Sequence, residues 1–154
     1  RVVDKNPANI VHAGLLNRVF PDAPIIHLRR NPLDTALSIY MTDGSAPFMS
    51  SREDIVYAIR QTTAQAEHWL RVLPSNRILD VRYEDLVSEP KTWMRQITEF
   101  CGLTWSEACL SAHRQARPVS TASVWQVRQP VYKTSVGRAQ RYAPWLGAFA
   151  ELQD

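Results

Sequence analysis

The pattern that most restricts the fold of this 154-residue chain is a turn that occurs twice. Val2-Val3 run into Asp4-Lys5-Asn6-Pro7, and Ile25-Ile26-His27-Leu28-Arg29-Arg30 run into Asn31-Pro32. Each time a short apolar stretch ends in a basic residue and asparagine follows as a helix N-cap. Proline then takes the first helical position, where its missing N–H would be an orphan anyway. After Pro7, Ile10, Val11, Leu15, Leu16 and Val19 are spaced for one buried helix face; after Pro32, Ala36, Leu37 and Tyr40 continue a second helix. Strands that alternate with helices imply a parallel α/β sheet. Ligands of such sheets bind beyond the carboxyl ends of the strands, where Lys5 and Arg30 fall.

The rest of the chain extends this scheme. Ser50-Ser51-Arg52-Glu53 has capping-box spacing and opens a helix carrying Ile55, Ile59, Thr62, Ala66, Trp69 and Leu73 on one stripe, ended by Pro74. Ile78 to Tyr83 reads as a third buried strand and brings Tyr83 to the same sheet edge as Lys5 and Arg30. A loop and a helix from about Pro90 follow, with Trp93, Ile97 and Phe100 inward and Gly102 as C-cap. Thr104-Trp105-Ser106-Glu107 is a second capping box, residues 117–132 read as an extended loop, and a last helix spans roughly 136–152 with a break at Pro144. With no repeat of solenoid length, residues 1–154 read as a single domain.

Composition narrows the function classes. With 45% hydrophobic and 21% charged residues the chain is not disordered, and no apolar run approaches the roughly 20 residues of a spanning helix. Cys101 and Cys109 fit no zinc spacing and no secretory leader is present, so a reducing, cytoplasmic setting without metal is expected. The five glycines are too scattered for a complete GxGxxG or GxxxxGK[ST] loop, and the chain starts at Arg1, which suggests a portion of something longer. The net charge is only +3, yet residues 108–150 contain Arg114, Arg117, Arg128, Lys133, Arg138 and Arg141 with no acid among them. That stretch is either a solvated basic face or an attractor of anions.

Arg30-Asn31-Pro32-Leu33-Asp34-Thr35-Ala36-Leu37-Ser38 carries most of the chemistry. Arg30 leaves a strand end and Ser38 lies about two helical turns on, so a guanidinium and a hydroxyl can converge on one anion. The R-N-P-x-D-x-x-x-S run resembles the 3′-phosphate-binding motif of sulfotransferases that use 3′-phosphoadenosine 5′-phosphosulfate (PAPS), and implies that Arg30 and Ser38 hold that phosphate. Val81-Arg82-Tyr83-Glu84-Asp85-Leu86 resembles the family's Y-E-D-L segment, which implicates Tyr83 beside the nucleotide. Lys5 matches a lysine that many members set against the transferring sulfuryl group, where a fixed cation stabilises charge on the equatorial oxygens. Residues 120–138 resemble the cofactor-closing segment of bacterial, TPR-linked and tyrosylprotein-type members, which makes Ser123 and Arg138 the candidates that reach the phosphosulfate. The implied fold is three-layered, a parallel sheet with flanking helices related to the P-loop NTPases.

The chain also departs from that family pattern. The first strand and the P-R-S-G-type loop that wraps the 5′-phosphosulfate have no counterpart, so an unpaired sheet edge and association through it are expected. Where cytosolic members carry a histidine two residues after the lysine, this chain has Pro7, and tyrosylprotein-type members use a glutamate from the absent part. His12 and His27 fall in apolar patterns and read as packed core histidines. The resemblance thus implies transfer of a sulfuryl group from PAPS to a hydroxyl or amine, leaving adenosine 3′,5′-bisphosphate. The alternative is a non-catalytic nucleotide-binding or protein-interaction domain derived from such an enzyme. Nucleic-acid binding through the basic segment, with Trp125, Tyr132, Tyr142 and Trp145 interleaved, has no module pattern behind it and is not expected.

Overall fold

Both Asn-Pro pairs start helices. In the computed structural model, which describes residues 2–42, 46–49, 51–114 and 129–153, the Asn6 carboxamide oxygen accepts the Ala8 N–H at 3.0 Å and Pro7–His12 form a 3-10 helix. It passes directly into α1, Ala13–Val19. The Asn31 carboxamide oxygen accepts the Asp34 N–H at 3.1 Å and opens α2, Pro32–Tyr40. α3, Arg52–Val72, is capped by Ser51, one residue later than the S-x-x-E spacing suggests: its hydroxyl accepts the Asp54 N–H at 3.0 Å and donates to the Asp54 carboxylate at 2.7 Å.

Two strands are present among the described residues, β1, Ile25–Arg29, and β2, Ile78–Arg82. They pair in parallel, Ile25 opposite Ile78 through Arg29 opposite Arg82. One acid on β2 ties both together: Asp80 Oδ1 lies 2.8 Å from His27 Nδ1, and Asp80 Oδ2 accepts from Arg29 Nε at 2.7 Å. The expected strand at Val2-Val3 does not form; these valines are 96% and 89% exposed, with no strand beside them to supply ladder hydrogen bonds. His27 is thus half-buried and paired rather than packed in apolar surroundings, and His12 is exposed.

After β2 the chain turns at once into α4, Tyr83–Ser88, where a loop was expected; Glu84 and Asp85 occupy its first turn, where the helix dipole favours acids. α5, Pro90–Phe100, follows. The next segment is a 3-10 helix, Glu107–Arg114, in which Ser106 rather than Thr104 accepts a helix N–H, that of Ala108 at 3.3 Å. The expected terminal helix is two 3-10 helices, Arg138–Trp145 and Gly147–Leu152, divided after Pro144. The 3-10 helix Gly147–Leu152 packs on α2 and α3, and Phe149, Leu146 and Leu152 join Ala36, Ile55 and Val56 in the main core. A smaller cluster of Ala13, Leu73 and Ile78 with Trp69 seats α1 against the end of α3 and the sheet. The buried side of α1 is its small-residue side: Ala13 is inside, whereas Val11, Leu15 and Val19 are more than half exposed, contrary to the apolar face expected for them.

Candidate functional site

The register of the sheet builds the site. Continuing the pairing one and two residues past Arg29 and Arg82 sets Arg30 beside Tyr83 and Asn31 beside Glu84. The Arg30 guanidinium lies over the Tyr83 ring, 5.1 Å from its centroid. Glu84 Oε1 accepts the Asn31 N–H at 2.8 Å, so the residue that caps α2 is itself held by α4. Burial pushes the Tyr83 phenol above its ordinary pKa, while the neighbouring Arg30 charge pulls the other way and a hydrogen bond with Ser135 does the same.

Arg30 is incompletely satisfied. Its Nη2 donates to the Ser135 carbonyl and lies 3.9 Å from Asp34 Oδ2, and its Nε is buried with no hydrogen-bond partner among the described residues. A buried donor left in this state costs about 1–3 kcal/mol, so the position favours an oxygen acceptor.

Asp34 is the most buried charged residue described, 2% exposed on the first turn of α2. Its Oδ2 accepts the Gly137 N–H at 2.7 Å and its Oδ1 accepts the Ala139 N–H at 2.8 Å. Gly137 sits at φ 67°, a left-handed conformation that glycine adopts without penalty. Arg138, between the two anchored amides, reaches the Met41 sulfur at 3.3 Å. Asp34, Ser38 and Met41 are spaced i, i+4, i+7 and so form one face of the α2 segment, the face on which the C-terminal segment rests.

Of the residues singled out from sequence, Arg30, Tyr83 and Arg138 gather at the carboxyl end of the sheet and along α2, with Ser38 one turn beyond Asp34. Lys5 is exposed and makes no hydrogen bond or ion pair among the described residues. Ser123 lies outside the described residues. Asp34, Glu84, Ser135 and Gly137 were not singled out. The signal for Asp34 was present, since a carboxylate among Leu33, Ala36 and Leu37 must find donors if it is buried. So was that for Gly137, which is the one glycine between Leu103 and Leu146. Among the described residues no three His, Cys, Asp or Glu side chains gather as metal ligands, and no helix is long and apolar enough to cross a membrane.

Known proteins are similar to this chain in sequence. A protein of Aquifex aeolicus (strain VF5) described only as uncharacterized is 36% identical over 157 residues, covering 99% of this chain and 20% of its own length. The omega-hydroxy-beta-dihydromenaquinone-9 sulfotransferase Stf3 of Mycobacterium tuberculosis (strain CDC 1551 / Oshkosh) is 26% identical over 123 residues, 74% of this chain and 32% of its own. The protein-tyrosine sulfotransferase of Drosophila melanogaster is 25% identical over 112 residues, 71% of this chain and 22% of its own. The chain therefore spans between a fifth and a third of the length of these relatives. The Sulfotransferase family profile matches residues 1–107, which include the Arg30–Ser38 run and Tyr83 and end before the segment that Asp34 anchors. With more than half of its residues matched by that profile, the chain belongs to the Sulfotransferase family.

Proposed function

We propose that this chain is the nucleotide-gripping part, a single unit over residues 1–154, of a PAPS-dependent sulfotransferase that passes a sulfuryl group to an acceptor hydroxyl or amine. The observation that carries the assignment is the Arg30 guanidinium at the end of β1, its Nε buried and unbonded and its plane over Tyr83. A phosphate oxygen is the acceptor that such a donor lacks, and a charge-assisted bond is the strongest it can make. Ser38 adds a hydroxyl about two turns along α2, and Arg138 adds a second cation on the same side.

When bound, PAPS supplies the activated sulfuryl group and leaves as adenosine 3′,5′-bisphosphate. Arg30 and Ser38 hold the 3′-phosphate, Tyr83 backs the guanidinium and borders the nucleotide, and Arg138 and Ser123 serve the phosphosulfate. Lys5 stabilises charge that develops on the transferring group. The open edges of β1 and β2 are where further strands of the family's parallel sheet pair, completing the three-layer fold.

Calorimetric titration with adenosine 3′,5′-bisphosphate tests the assignment. Arg30→Ala should weaken binding by about 1.5–3 kcal/mol, roughly 10- to 150-fold. Adenosine 5′-monophosphate, which lacks the 3′-phosphate, should bind the wild type and Arg30→Ala alike. Equal affinity of both proteins for the bisphosphate would overturn the 3′-phosphate assignment. Turnover of PAPS with a panel of hydroxyl and amine acceptors, measured on the complete protein, then identifies the acceptor class.

A further inference from the structure

The geometry points to Asp34 as a positioning residue: its buried carboxylate clasps the backbone of residues 137–139 and thereby presents Arg138 to the bound nucleotide. The inference rests on the nucleotide assignment above and extends it to a residue that touches no ligand.

Three observations carry it. First, Asp34 commits both carboxylate oxygens to backbone amides more than a hundred residues away, at 2.7 Å to Gly137 and 2.8 Å to Ala139. These bonds flank Arg138, so they fix the backbone from which its side chain departs. Second, Arg30 holds the same segment through the Ser135 carbonyl. Third, the Arg138 guanidinium lies against Met41, on the α2 face that carries Ser38 one turn earlier. Residues 135–139 are thus tied at three points to the strand end and helix that carry the phosphate motif. Positioning a second cation in advance removes the ordering cost that a free loop would add on binding.

A purely electrostatic role for Asp34 makes the opposite prediction. Its carboxylate oxygen lies 3.9 Å from the Arg30 NH2, so removing the charge strengthens the local positive potential and would tighten binding of an anion. Positioning demands that binding weaken. The sign of the change therefore separates the two roles.

The test is a double-mutant cycle on the complete protein with adenosine 3′,5′-bisphosphate as ligand. Asp34→Asn keeps the shape but can accept only one of the two amides, and should weaken binding about tenfold. Arg138→Ala should lose affinity in the wild-type background and little further in Asp34→Asn, a coupling between residues that make no side-chain contact. Hydrogen exchange supplies a ligand-free readout: the Gly137 and Ala139 amides should lose protection in Asp34→Asn while the α3 amides keep theirs. Gly137→Ala approaches the clasp from the other side. Its added Cβ meets nothing nearer than the Gln140 side chain at 3.6 Å, so only the φ of 67° is disturbed, and bisphosphate binding should weaken again. Unchanged or tighter binding by Asp34→Asn with α3 still protected, or full additivity with Arg138→Ala, would overturn the inference while leaving the Arg30 result intact. If the wild type does not bind the bisphosphate, the nucleotide assignment falls, and with it this role.

Discussion

Arg52 should be worth more to this protein than any other surface cation, and its removal should release the C-terminal segment. Its Nη1 donates to the Trp145 carbonyl at 3.0 Å and approaches that of Leu146 at 3.5 Å. The Trp145 carbonyl closes the 3-10 helix Arg138–Trp145, whereas that of Leu146 also accepts the Phe149 N–H at 3.1 Å at the start of the next 3-10 helix. The same guanidinium lies 5.0 Å from the Tyr40 ring centroid and 5.6 Å from that of Phe149, which themselves meet edge-on at 5.6 Å. One charged hydrogen bond contributes about 1.5–3 kcal/mol and each cation–π contact about 0.5–1 kcal/mol at a partly exposed site. Allowing for water replacing part of the hydrogen bond, Arg52→Ala should cost about 2–3 kcal/mol. Arg52→Lys keeps the charge but not the planar fork over two rings, and should cost about half as much. Urea denaturation measures both, with the midpoint falling and the slope unchanged if the native state stays whole. Loss of less than about 0.5 kcal/mol in Arg52→Ala, the level of an ordinary exposed ion pair, would refute the reasoning. So would a lysine variant as stable as the wild type.

Gly14→Ala should destabilise by about 1–3 kcal/mol in the same assay, because an added Cβ would stand 2.5 Å from the Trp69 ring, which packs in the small cluster around Ala13. Tyr83 should give stability an alkaline limb. Its folded pKa is raised by burial, so its contribution is whole below the ordinary phenol value near ~10 and is lost as pH rises through the higher folded value. The stability difference between wild type and Tyr83→Phe, followed from neutral to strongly alkaline pH, should change above pH ~10 and stay flat below it; a difference independent of pH would refute this.

What the sequence disclosed, and what it withheld, divides by the range of the interactions involved. The two Asn-Pro starts were legible because a cap and the helix it opens lie within four residues, and both formed as expected. Arg30 and Tyr83 were legible as two strand ends, although their contact depends on a register that hydrophobic patterning alone does not fix. The α1 face was misjudged for a physical reason: Ala13 and Gly14 allow close approach to Trp69, and that approach, not the larger apolar stripe, decided which side turned inward. The caps lie one residue later at Ser51 and two later at Ser106, where each hydroxyl accepts a donor further along the helix, the Asp54 and Ala108 N–H groups. The Asp34 clasp was hidden by distance, since nothing local links residue 34 to residues 137 and 139.

The charge balance around Arg30 is what the proposed phosphate role requires. Asp34 approaches the guanidinium and Glu84 follows Tyr83, the ring over which it lies; if either acid formed a close bidentate pair with Arg30, little positive potential would remain. Neither does. Glu84 spends an oxygen on the Asn31 amide, and Asp34 spends both oxygens on the Gly137 and Ala139 amides, leaving its nearest approach to the Arg30 NH2 at 3.9 Å. Backbone N–H groups thus hold the carboxylates in place of the arginine. The guanidinium keeps one buried N–H unbonded among the described residues and lies over an aromatic ring that supports its charge without accepting its hydrogen bonds. The acids orient α2 and the C-terminal segment, and the cation remains available to a phosphate.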